Sequence, residues 1–235
     1  MNNTTLQLKI KQRLNKLDSQ DFDNIQCWQM VEAFNKGQVE WVRRQIQGLN
    51  ITKTGNEQTT MRVDDLQRLL IEKRMDMTSR DSFYESDLLP SDYMYYKRVN
   101  IHAHKDCCET RKDMTVTYLA EEENIALLLG DALKKPSFEW GETFCTFVGN
   151  HLRVYTNNEF EVAAAIMMYY RFPVKVQFAG CSDPYGLQVS TTDVECEFKD
   201  DIAEILVDEA VQILAGDMES ITQYQIAQTS TQSNT

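Results

Sequence analysis

Apolar residues change their spacing twice along this chain, and those changes limit what it can fold into. Over the first third they recur at helical spacing, from Tyr93 onward they alternate as in strands, and from Asp200 the helical spacing returns. The pattern predicts an α+β protein. Its expected parts are a helical N-terminal region over 1–75, a β-rich core over 76–198 of sandwich or barrel-like form with one short helix, a C-terminal amphipathic helix over 199–216 packed on that core, and an extended or disordered tail over 217–235. With 235 residues the chain can bury a substantial core and still project arms.

Leu6, Ile10, Leu14 and Leu17 define a first helix, which Asp18-Ser19-Gln20-Asp21 ends. The second helix, Glu32 to Asn50 with Trp28 and Met30 leading into it, has an unusually wide apolar face. At about 100° per residue, Trp28, Val31, Val39, Val42, Ile46 and Leu49 fall on one arc, and Met30, Phe34 and Trp41 on a neighbouring stripe. Glu32, Lys36, Glu40, Arg43 and Gln47 take the opposite side, and Gly48 stands where a helix end favours positive φ. Such a helix fits between two layers of its own domain, or between its own domain and a neighbouring subunit. After a polar connector, Asp64 to Arg74 reads as a third helix through Val63, Leu66, Leu69 and Leu70.

Tyr93 to His104 reads as a strand with Tyr93, Tyr95, Lys97, Val99 and Ile101 on one face, and Asp113 to Leu119 pairs back on it. Glu121 to Leu133 is expected to be a short helix with Ile125, Leu128, Leu129 and Ala132 inward. Gly149-Asn150 between Thr143–Val148 and His151–Thr156 is a strong hairpin signal. Period alone leaves Phe160 to Phe172 open between strand and helix; the Asn157-Asn158 turn before it and Pro173 after it favour strand. Val174 to Phe178 and Leu187 to Phe198 read as further strands, and Asp200 to Ala215 as the last helix, with Ile202, Ile205, Leu206, Ala210, Ile213 and Leu214 as its stripe. Ser220 to Thr235 holds no charged residue and only Ile221, Tyr224 and Ile226 as anchors, so it is disordered alone or ordered along a partner.

The run Glu32-Ala33-Phe34-Asn35-Lys36-Gly37-Gln38, then Trp41-Val42-Arg43-Arg44-Gln45 and Gly48, Thr54-Gly55-Asn56-Glu57 and Val63 to Leu70, resembles the N-terminal region of virion proteins of crAss-like tailed bacteriophages. The resemblance continues at Leu89-Pro90-Ser91-Asp92-Tyr93, at Tyr169 to Pro173 and at the acidic run Phe198 to Ile205. Where a proline-bearing turn often follows a Tyr-Ile-Arg run in the family, this chain has Tyr170-Arg171-Phe172-Pro173. The resemblance implies a ring in the head-to-tail connector or tail, closed, heterologous and twelvefold. It also implies portal and other connector or tail proteins as partners, localisation in the virion after assembly in the host cytoplasm, and a part in DNA ejection. Under this reading the wide helix face is an assembly surface, with Trp28, Phe34 and Trp41 as its packing residues, and Arg43, Arg44 and Tyr224 as further interface candidates.

A formal charge of −12 and a pI near 4.7 argue against a protein that clamps nucleic acid by neutralising phosphates. Double-stranded DNA is instead expected to pass without specific binding. No stretch approaches the roughly 20 apolar residues of a membrane span, and Met1 to Leu6 lacks a basic, then apolar, secretory leader, so a soluble protein without membrane contact is expected. Six cysteines at irregular positions, Cys27, Cys107, Cys108, Cys145, Cys181 and Cys196, read as reduced thiols.

His102-Ala103-His104 followed by Cys107-Cys108 places nitrogen and sulfur ligands of the kind zinc takes. Adjacent thiols cannot both aim inward easily, Lys105 adds positive charge, and no Cys-x-x-Cys is present, so an ordinary polar hairpin is expected there rather than a metal site. No local signature joins a thiol to His102, His104 or His151 as a nucleophile pair, and Asp193, Glu195 and Glu197 read as one solvated strand face. No glycine loop of phosphate-binding form occurs, and the chain has nine glycines in all. No catalytic residue, enzyme activity or cofactor is expected. A small metal- or peptide-binding regulatory module and a hydrolase with a dispersed site are the competing readings.

Overall fold

The computed structural model of the chain describes residues 1–14, 25–47, 64–105, 110–182, 185–186, 190–217, 225 and 228–229. The chain divides into two compact units, Leu69–Phe172 and a discontinuous one made of Met1–Arg68 with Pro173–Thr235. This differs from the serial division drawn at 75, 198 and 216, because the chain comes back to the helical unit after Phe172.

The Leu69–Phe172 unit is a closed seven-stranded barrel. Its strands are β1 (Leu70–Ser79), β2 (Phe83–Leu88), β3 (Tyr93–Lys105), β4 (Thr110–Leu119), β5 (Glu142–Val148), β6 (His151–Tyr155) and β7 (Glu161–Arg171). Around the barrel they run β1-β2-β6-β5-β4-β3-β7, and β7 pairs with β1 from Leu70↔Tyr170 to Asp76↔Ala164 to close it. The sandwich or barrel-like expectation is thus met as a barrel. Strand period explains the interior: Val99, Ile101 and Ala103 of β3, Met114 and Val116 of β4, Leu152 and Val154 of β6, and Ala165, Met167 and Tyr169 of β7 all point inward and are buried. Bulges in the β3–β7 pairing between Tyr93 and Tyr95, and between Tyr96 and Arg98, shift the alternation. Tyr93 and Tyr96 therefore join the core, rather than the Tyr95 and Lys97 of the strict alternation.

Both expected turns have positive φ, 57° and 63° at Gly149 and Asn150 and 51° and 56° at Asn157 and Asn158; the first closes the β5–β6 hairpin, whereas the second leads from β6 to β7, which do not pair. At the bulge between Glu85 and Leu88, the Ser86 hydroxyl accepts the Leu152 amide at 3.0 Å, so the interrupted ladder leaves that amide satisfied. β4 and β5 run parallel, which demands a crossover. It contains a 3-10 turn at Glu122–Asn124 and a helix α3 (Ile125–Gly130), shorter than the helix expected over Glu121 to Leu133. Ile125 packs with Phe144 and Tyr155 on the outer barrel wall, while Ala132 is exposed.

Three further elements are corrected. Residues 64–66 are helical and Gln67–Leu69 form a 3-10 turn, but Leu70 onward is β1, not a continuing helix. Val63, Leu66, Leu69 and Leu70 share a helical face by coincidence, and the long pairing with β7 overrides it. Neither Val174–Phe178 nor the described part of Leu187–Phe198, residues 190–198, forms a strand; only the isolated Gln177↔Val194 bridge joins them. Side chains hold the first of these segments: Asn35 donates to the Val176 carbonyl at 3.0 Å and accepts its amide at 2.8 Å, standing in for a neighbouring strand.

The helical unit packs α1 (Asn3–Leu14), α2 (Cys27–Gln47) and α4 (Asp200–Asp217). Leu6, Ile10 and Leu14 form the buried stripe of α1. Ile202, Ala203, Leu206, Val207, Ala210, Val211, Leu214 and Ala215 are buried on α4. α2 comes so close to α4 that a Cβ at Gly37 would lie 3.2 Å from the Glu209 Cβ. The thiols are also corrected: Cys27 and Cys181 form a disulfide, with 5.8 Å between their Cα atoms. A pairing across 154 residues leaves no spacing pattern to read. Cys145 and Cys196 are free and buried, and Cys107 and Cys108 lie outside the described residues.

Candidate functional site

Two surfaces stand out, one on each unit. On the barrel, the β4–β5 crossover displays Leu127 at 73 %, Leu133 at 90 % and Trp140 at 82 % exposure. Trp140 sits on a pinned turn. The Ser137 amide donates to the Glu142 carbonyl at 2.9 Å, and the Gly141 and Glu142 amides donate back to the Ser137 carbonyl at 3.0 and 3.1 Å. Phe138 is buried in the barrel core near Phe160, and Lys112 Nζ donates to the carbonyls of Phe138 and Glu139 at 3.1 and 2.9 Å. Gly141 has φ of 71°, a conformation that favours glycine, and a Cβ there would also press on Lys112 Nζ at 3.1 Å. The indole thus stands in solvent on a turn whose backbone is pinned.

On the helical unit, Trp28 and Val31 of α2 face Phe178 and Cys181 of the returning segment across a cleft of about 600 Å³. Lys36, Lys175 and Glu32 also line it. The Cys27–Cys181 bond and the Asn35–Val176 hydrogen bonds tie the two walls together. This volume lies within the roughly 300–1,000 Å³ typical of ligand pockets.

The expected packing residues divide between these settings. Trp28 is half-buried beside the cleft. Phe34 and Trp41 are fully buried, Trp41 lying edge-on to Phe198 at 5.4 Å, and so pack the unit's own core. The observed core face of α2 is Met30, Ala33, Phe34, Gly37, Gln38, Trp41 and Val42, whereas Val31, Val39 and Ile46 of the other arc are half-buried. Arg43 is exposed, and Arg44 forms an ion pair with Glu209, which is 3 % exposed. Burial raises the Glu209 pKa against the opposing pull of Arg44, with Glu40 and Asp208 adding to the rise. Tyr224 lies outside the described residues, as does nearly all of the tail.

His102 and His104 are on the outer wall of the barrel. Nδ1 of His102 is 2.5 Å from an Asp113 carboxylate oxygen, and Nε2 of His104 is 2.9 Å from one of Glu161. Each imidazole is thereby engaged by a carboxylate of a neighbouring strand. Among the described residues, no group of three or more His, Cys, Asp or Glu side chains is placed to hold a metal ion. Inside the barrel, burial pushes the Cys145 thiol up to about 12 and raises Tyr96, so neither ionises near neutral pH and the buried thiol is no nucleophile. No helix among the described residues is long and apolar enough to cross a membrane.

The Trp140 turn has no counterpart among the expected sites. Its one sequence signal is an aromatic residue within the polar run Lys134-Lys135-Pro136-Ser137-Phe138-Glu139-Trp140-Gly141. No protein-family model matches the chain, and no curated protein matches it.

Proposed function

We propose that this chain is a structural subunit of a phage virion, a ring-forming head-to-tail connector or tail protein that links portal and tail and frames the DNA passage. The observation that carries the reading is the exposed apolar crossover with Leu127, Leu133 and Trp140, a kind of surface that marks contact sites. The resemblance at Glu32–Gln38, Trp41–Gln45 and Leu89–Tyr93 supports the same reading. A closed ring of identical subunits, twelvefold by that resemblance, uses two different surfaces of each subunit. The charge of −12 suits a wall past which duplex DNA slides without sticking. Assembly belongs to the host cytoplasm and the finished ring to the virion.

The Trp28 cleft favours one alternative, a peptide-binding regulatory module. Mixing the purified chain with portal protein and imaging by negative stain separates the two. Rings seated coaxially on the portal are expected; a chain that stays single and leaves the portal bare contradicts the connector reading.

A further inference from the structure

We infer that the Cys27–Cys181 bond is a reversible redox latch on the Trp28 cleft. As a disulfide it fixes the two walls of the cleft to each other; as two thiols it lets the Cys181 end open while the Asn35 end stays closed. The inference goes beyond the assembly reading and stands without it.

The first observation is where the ties lie. Both walls belong to the helical unit, α2 with Trp28 and Val31 on one side and the returning segment with Gln177, Phe178 and Cys181 on the other. The covalent tie joins them at Cys27 and Cys181. The polar tie joins them at Asn35 and Val176, about 12 Å further along α2 at about 1.5 Å per residue. Val176 and Phe178 are buried, so packing and Asn35 together keep that end in place without the bond. Cys27 is only half-buried and opens α2, where the Gln26 carbonyl accepts the Gln29 and Met30 amides at 3.1 and 3.4 Å. A first helical turn opens locally at low cost. Losing the bond therefore frees one end of the cleft and leaves the other.

The second observation is chemical access. Cys181 lines the cleft, which at about 600 Å³ admits a small thiol such as glutathione. A glutathione thiolate entering there attacks Sγ of Cys181, so that a mixed disulfide forms and the Cys27–Cys181 bond breaks. Cys27 departs as a thiolate at the N-terminal end of α2, where the helix dipole stabilises negative charge. A second glutathione thiolate attacks the mixed disulfide and releases Cys181, and one oxidised glutathione leaves. The two protein thiolates take up the protons that the two glutathione thiols gave up. The reverse sequence, with oxidised glutathione as the oxidant, remakes the bond. Cys145 and Cys196 are buried, and burial raises the pKa of both thiols, so neither competes in the exchange.

The test holds the full chain in glutathione buffers of stepped reduced-to-oxidised ratio, then maps alkylated thiols by mass spectrometry and follows hydrogen exchange on the same samples. Cys27 and Cys181 are expected to pass together from bonded to alkylatable as the ratio rises. Over the same steps the amides of Gln29, Met30, Gly180 and Cys181, all hydrogen-bonded in the structure, are expected to exchange roughly tenfold faster. The Val176 amide, held by Asn35, and the barrel amides are expected to stay unchanged. Cys27→Ser combined with Cys181→Ser, its folding checked by circular dichroism, is expected to show the faster exchange at every ratio. Cysteines 27 and 181 that stay alkylatable in oxidised glutathione overturn the latch, as does a bond whose reduction leaves these amides unchanged. So does a rise that spreads equally to Val176, which marks unfolding of the whole unit, or a glutathione response that persists in the double variant.

Discussion

Glu209 shows how a single side chain couples packing to pH. It lies where α2 meets α4 most closely, is 3 % exposed, and has Arg44 as its ion-pair partner, with Glu40 and Asp208 nearby. Burial dominates, so the folded carboxyl holds its proton to higher pH than the unfolded one. Its contribution to stability is therefore full below the ordinary carboxylate pKa and is lost as pH rises through the raised value. Glu209→Gln is expected to stabilise the protein at about pH 8 and to match the wild type below about pH 4 in urea titrations. Arg44→Ala is expected to cost about 2–3 kcal/mol at about pH 8, because it strands a buried carboxylate, with the deficit shrinking on acidification. A destabilised Glu209→Gln at the higher pH would mean that Arg44 outweighs burial.

The disulfide joins the first residue of α2 to a segment 154 residues further on, the two having the whole barrel between them in sequence. Closing so long a loop is worth about 5 kcal/mol as a chain-entropy limit, and measured bonds more often give about 2–4 kcal/mol. In a reducing cytoplasm the pair is expected as two thiols, so the staple strengthens the unit only in oxidising surroundings. Helical circular dichroism followed in urea, with and without dithiothreitol, is expected to show a stability loss of about 2–4 kcal/mol on reduction; no loss would mean that Asn35 and the helix packing hold the segment unaided. Elements with local signals were legible before folding: β3 from its alternation, the β5–β6 turn from Gly149-Asn150, α1 from Leu6, Ile10 and Leu14. Elements specified by distant partners were not. β1 takes its conformation from β7, and the Val174–Phe178 segment is held by Asn35 instead of a strand. Nor does a lone tryptophan reveal its exposure: Trp140 is exposed, while Phe34 and Trp41, expected as contact residues, are core.

The chain combines a barrel filled by its own side chains with a helical unit assembled from both ends of the sequence, the first displaying the exposed crossover and the second the cleft. The strands of the barrel close on one another, with β1 paired to β2 only over Met77–Ser79, and the exposed crossover and the cleft offer side-chain surfaces for association. A heterologous contact between unlike surfaces builds a ring where its rotation closes, and a closed ring is the outcome the proposed function expects. Native mass spectrometry of the purified full chain tests this. One dominant closed stoichiometry, twelvefold on the family resemblance, is expected, collapsing toward monomer in the Trp140→Ala variant. A wild-type chain that remains a monomer across its soluble concentration range would contradict it.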